Sequence, residues 1–71
     1  MSFIDLTKLL ADTGVVESRS EARRAVTMGR VNVNGSTVTD ISSQVSLEEG
    51  AEVQVGKRTT LRLVSGRWER S

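Results

Sequence analysis

The 71-residue sequence predicts an α+β domain, with two packed amino-terminal helices followed by a small, mostly antiparallel sheet of about four short strands. Three observations predict it. Apolar residues recur at helical spacing in the first third of the chain, whereas later segments alternate apolar with polar residues. Between two alternating segments stands Asn34-Gly35, a strong short hairpin signal because both turn positions need positive φ.

Phe3, Leu6, Leu9 and Leu10 cluster on one helical face, which predicts a first helix over 5–13. Ser2 or Asp5 caps it, and Gly14 suits the left-handed residue that stops it. Val15 and Val16 lead to a second helix over 19–28. Ser18 and Glu21 have the S-x-x-E spacing of a capping box, in which each side chain serves the other's backbone N–H. With residues about 100° apart, Arg19, Ser20, Arg23, Arg24 and Thr27 share an arc of roughly 140°. Ala22, Ala25 and Val26 fall on the other side, where small alanines permit close helix packing. Gly29 ends this helix.

Val31 and Val33 alternate with Asn32 and Asn34 in a first strand, and Ser36 to Thr39 returns with Val38 inward. A loop over 40–50 is anchored by Ile41, Val45 and Leu47. Ala51, Val53 and Val55 define a third strand, Gly56-Lys57-Arg58 a turn, and Leu61 and Leu63 a fourth strand. The domain therefore occupies 1–64, and 65–71 is read as a short basic tail, mobile in part.

Seventy-one residues make one domain near the lower limit for a self-sufficient core, burying about 60% of the unfolded surface. The absence of cysteine and histidine excludes a disulfide and makes structural zinc very improbable. No metal or cofactor is expected. Asp5 and Lys8 interrupt the amino-terminal apolar pattern, and no apolar run approaches a membrane span. The expectation is a monomeric, cytoplasmic domain with no membrane partner.

The net charge is only +1, but it is unevenly distributed. Residues 1–17 carry −2, 18–30 carry +3, 31–56 carry −4 and 57–71 carry +4, which predicts one basic face and a contrasting remainder. Eight of the ten cationic residues are arginine, the type suited to bidentate phosphate contacts. Arg19 and Arg23 lie four residues apart on one helical ridge and can bridge neighbouring phosphates. Ser20 lies at the positive end of the helix dipole, and Gly29 lets a backbone approach with no Cβ in the way. Each has a plainer reading. The arginines can form a solvated helix face, Asn34 a turn residue, and Lys57-Arg58 a soluble tip. Trp68, between Arg67 and Arg70, is read as packing on the sheet edge over the core rather than stacking on a base. Met1, Phe3 and Met28 are read as packing residues. Without histidine, cysteine, paired carboxylates in a cleft or a phosphate-cradling glycine loop, no enzyme is predicted.

The pattern S-R-S-E-A-R-R…G-R-V-x-V-N-G…V…D, then V-x-V-G-K-R, resembles the small RNA-binding domain named after ribosomal small-subunit protein S-four, the αL motif. The resemblance runs from about Leu6 to Val64 and is nearest to the carboxy-terminal domain of bacterial tyrosyl-tRNA synthetases. It implies binding of structured RNA, tRNA-like or ribosomal, through Arg19, Ser20, Arg23, Arg24, Gly29 and Asn34, with Lys57 and Arg58 from the later turn. Arg30, which follows Gly29 at once, joins this set by its charge and position. Asp5-Leu6-Thr7 stands where many members have Arg-Leu-Asp, and neutral Ser36-Thr37 follows the Asn-Gly turn; both reduce the positive surface. The resemblance implies no catalysis. A free-standing RNA-binding module is the first expectation, supported by the initial Met. The alternatives are a protein-interaction domain that has kept the fold without RNA affinity, and an excised synthetase appendage.

Overall fold

The computed structural model describes residues 2–71, so the packing role read for Met1 lies outside the described residues. The chain runs β1 (Phe3–Asp5), α1 (Leu6–Asp12), α2 (Arg19–Thr27), β2 (Val31–Val33), β3 (Ser36–Val38), β4 (Gln44–Ser46), β5 (Glu52–Val55), β6 (Thr59–Val64) and β7 (Arg67–Arg70). Five strands form one antiparallel sheet in the order β3-β2-β5-β6-β7, and β1 pairs with β4 in a separate two-stranded clasp. The α+β architecture and both helices are as the sequence predicts. There are more strands than the expected four.

Asp5 caps α1, its carboxylate accepting from the Thr7 N–H at 3.1 Å. The helix is therefore shorter than 5–13. Phe3 lies outside it in β1 and is 54% exposed, so it does not join the helix face. Ser18 caps α2 by accepting from the Glu21 N–H at 3.2 Å. The reciprocal half of the capping box is absent, because the Glu21 carboxylate turns to Arg24 instead. The core is built from Leu6, Leu9 and Leu10 of α1, Ala22 and Val26 of α2, and Val31, Val45, Val53 and Leu61 from the strands. Ala25 is only partly buried and packs at its margin.

The 40–50 segment is not a plain loop. Its Val45 is fully buried in β4, opposite Ile4, while the Ile41 and Leu47 side chains remain exposed outside the core cluster. Residues 67–70 are not a mobile tail either. Ser65 (φ 52) and Gly66 (φ 77) form a tight left-handed turn that folds β7 back along β6. That register sets Trp68 opposite Leu63, and Trp68 packs against the core as expected.

Candidate nucleic-acid interface

The carboxy-terminal end of α2 is where the structure gathers cations. Met28 closes the helix, Gly29 takes φ 71, and two bonds complete the reversal. The Gly29 N–H donates to the Val26 carbonyl and the Arg30 N–H to the Ala25 carbonyl, each at 3.0 Å. This is the paired-bond glycine cap of a helix end. Gly29 is thus required by the turn itself, independently of any ligand. The chain then enters β2, and the Arg30 carbonyl accepts from the Gly56 N–H at 2.8 Å. That bond sets the β5–β6 turn, with exposed Lys57 and Arg58, beside the end of α2.

A cleft of about 300 Å³ lies between them. Arg24, Arg30, Glu21 and Gly56 contribute its polar surroundings, and Val16, Ala25, Met28 and Val55 its apolar lining. Met28 is 58% exposed. The helical arithmetic accounts for the helix's share of this lining. Counted from Arg19, Arg24, Met28, Glu21 and Ala25 fall at roughly 140°, 180°, 200° and 240°, a strip between the basic and buried sides.

The other α2 arginines lie on a different strip. Arg19 reaches back to Asp5 at 3.1 Å and to the Thr7 hydroxyl at 3.4 Å, so it ties the start of α2 to the cap of α1. Arg23 approaches the Ser20 hydroxyl at 3.5 Å. Arg24 meets Glu21 at 3.8 Å in an exposed pair of the kind that contributes little and is easily exchanged. Among the described residues, Arg23, Arg30, Lys57 and Arg58 form no ion pair.

Asn34 stands apart from this group. At the opposite end of β2, its N–H donates to the Glu52 carbonyl at 2.8 Å and its side-chain oxygen accepts from the Glu52 N–H at 2.9 Å. With Glu48 and Glu49 it lines a shallow depression of about 150 Å³. The nine residues named from the sequence therefore separate into three places. Arg24, Gly29 and Arg30 lie at the cleft beside the Lys57-Arg58 turn, Arg19, Ser20 and Arg23 lie along the outer strip of α2, and Asn34 lies at an acidic end. Sequence reasoning gives Met28 only a packing role. Its place on the strip beside Arg24 is the signal that marks it as part of this surface.

The S4 domain family model matches residues 6–53. Among curated relatives, the tyrosine–tRNA ligase of Moorella thermoacetica is 41% identical over 58 residues, covering 82% of this chain and 14% of the relative. That of Geobacter sulfurreducens is 42% identical over 60 residues, covering 84% and 15%. That of Aquifex aeolicus is 39% identical over 57 residues, covering 80% and 14%. The chain thus spans about a seventh of the length of these relatives.

Proposed function

The chain belongs to the S4 domain family, and from that premise we propose that it is a non-catalytic module that binds structured RNA, of tRNA or ribosomal type, by its backbone and shape. Structured RNA offers closely spaced phosphates and a shallow minor groove, which shape and backbone contacts recognise. One observation carries the reading. Arg30, Lys57 and Arg58 are free of carboxylate partners and lie with Arg24 around the end of α2 and the adjoining turn, with unpaired Arg23 on the outer strip of the same helix, while Glu48 and Glu49 stand at the far end of the sheet. The relatives are named for tRNA, which supports a tRNA-like ligand.

Titration against tRNA and against duplex ribosomal RNA fragments, each at two salt concentrations, tests the reading. Salt-sensitive binding that weakens when the arginines are replaced supports it. A native protein that binds none of these RNAs overturns it in favour of the second reading, a protein-interaction domain. That alternative draws on the net charge of only +1, the neutral Ser36-Thr37, and the engagement of Arg19 and Arg24 with carboxylates.

A further inference from the structure

The cleft at the end of α2 has a composition that phosphate binding does not require. A phosphate oxygen is served by N–H donors and positive charge, and neither an apolar floor nor a carboxylate helps it. Here Val16, Ala25, Met28 and Val55 make up the apolar part of the lining, its floor, and Arg24, Arg30 and Glu21 the charged part. Met28, at 58%, is more exposed than Phe3, Ile41 or Leu47, the other large apolar side chains left in solvent. A nucleobase has the matching chemistry. It offers a flat apolar face for the floor, polarizable enough to favour contact with the Met28 thioether, and edge N–H groups that a carboxylate accepts. The phosphates on either side carry the charge that the two arginines meet. The volume, about 300 Å³, lies at the small end of the range for compact ligands and suits a single base rather than a stacked pair.

We propose that this cleft holds one unpaired nucleobase, with its face on Met28 and Val55 and its flanking phosphates on Arg24 and Arg30. The preferred ligand is then a structured RNA that presents an extruded nucleotide beside a helix, not a continuous duplex. This rests on the RNA-binding reading and adds a selectivity that backbone contacts alone do not give.

The test compares hairpin RNAs of one sequence by fluorescence anisotropy: fully paired, with a single-nucleotide bulge carrying each of the four bases in turn, and with an abasic bulge. The best of the four bulged RNAs is expected to bind at least about fivefold more tightly than the paired RNA, the lower end of what one stacked base contributes. The abasic bulge is expected to forfeit that gain. Met28→Ser is expected to abolish the preference and to leave the salt dependence unchanged, because every phosphate-facing cation is still in place. Met28→Leu, which keeps an apolar floor, is expected to retain it. Met28 is exposed, so a native melting curve for both variants distinguishes removal of the base-stacking surface from unfolding. Equal binding of bulged and paired RNA overturns the cleft proposal and leaves the RNA-binding reading standing. Retention of the preference in Met28→Ser overturns the assignment to this cleft. Absence of salt-sensitive binding to every RNA removes both readings.

Discussion

The two ends of strand β2 are built alike and carry opposite chemistry. Each end is a turn with a left-handed glycine, Gly29 at φ 71 before the strand and Gly35 at φ 87 after it. Each also makes a backbone bond of 2.8 Å to a residue of or beside β5, through the Arg30 carbonyl at one end and the Asn34 N–H at the other. The side chains differ. Asn34 spends its amide oxygen on the Glu52 N–H and sits among carboxylates, whereas Arg30 pairs with no described carboxylate and opens on the cleft. The backbone does not dictate which end is basic. Charge is laid on the fold as a separate layer, and it is that layer which distinguishes the end proposed to bind RNA from the other.

The largest effect is expected from removing the charge layer alone. Arg23→Ala, Arg24→Ala and Arg30→Ala combined should leave the circular dichroism spectrum native. The slope of log affinity against log salt should shrink by slightly less than one unit for each phosphate no longer neutralised, roughly two to three in all. Glu48→Gln with Glu49→Gln, at the other end, should leave that slope in place. If both sets change it equally, the contrast between the two ends fails.

Next in size are the two turns themselves. Gly29→Val and Gly35→Val should each destabilise the protein by about 1–3 kcal/mol in urea unfolding, because a β-branched residue is strained at positive φ. The space around them is not the cause: a Cβ at Gly35 would meet nothing within 4 Å, and one at Gly29 only the Thr37 methyl at 3.8 Å. RNA affinity of the folded protein should fall for Gly29→Val and hold for Gly35→Val.

Asn34→Gly keeps the left-handed turn accessible and removes only the side-chain bond to Glu52. It should cost about 0.5–1.5 kcal/mol and leave RNA binding unchanged. Weakened RNA binding would return Asn34 to the interface. Arg19→Ala should cost less, at most about 1 kcal/mol for an exposed ion pair, again with no change in the salt slope.

The smallest effect is expected at Asp40, whose carboxylate accepts from the Ser42 hydroxyl at 2.7 Å and the Ser42 N–H at 2.9 Å. These bonds hold its pKa below the ordinary value of 3.8. A lowered carboxylate pKa adds stability that is present above the unfolded value and disappears as pH falls through the folded one. Ser42→Ala should raise the Asp40 pKa toward its ordinary value in an NMR titration and leave the Arg30 end untouched.

Much of this is legible in the sequence. The spacing of Leu6, Leu9 and Leu10, the caps at Ser18 and Gly29, and the Asn34-Gly35 turn are local signals, and each forms where expected. What escapes depends on partners distant in the chain. Nothing near Phe3 announces that β1 will pair with Gln44–Ser46, and Val45 is one apolar residue between two polar ones. Strand β7 does leave a signal. Ser65-Gly66 is a turn dipeptide, and Trp68 is an inward apolar residue within a polar run, but a four-residue strand so rich in charge reads as a tail. In the site, helical arithmetic groups the arginines by charge. It cannot tell that Asp5 will engage Arg19, or that the strip beside Arg24 will face the Gly56 turn.

Arg30 has both of its peptide groups engaged, its N–H by the end of α2 and its carbonyl by the turn after β5. The end of α2 and the turn after β5, which flank the cleft, are therefore both bonded to one residue. On the RNA-binding proposal, a cleft held by these bonds before the RNA arrives would need no separate closing step. Association should then follow a single exponential, linear in RNA concentration and accelerated at low salt by long-range attraction. Uncharged substitutions in the cleft, such as Met28→Ser, should act chiefly on the lifetime of the complex, whereas loss of Arg24 or Arg30 should also slow encounter.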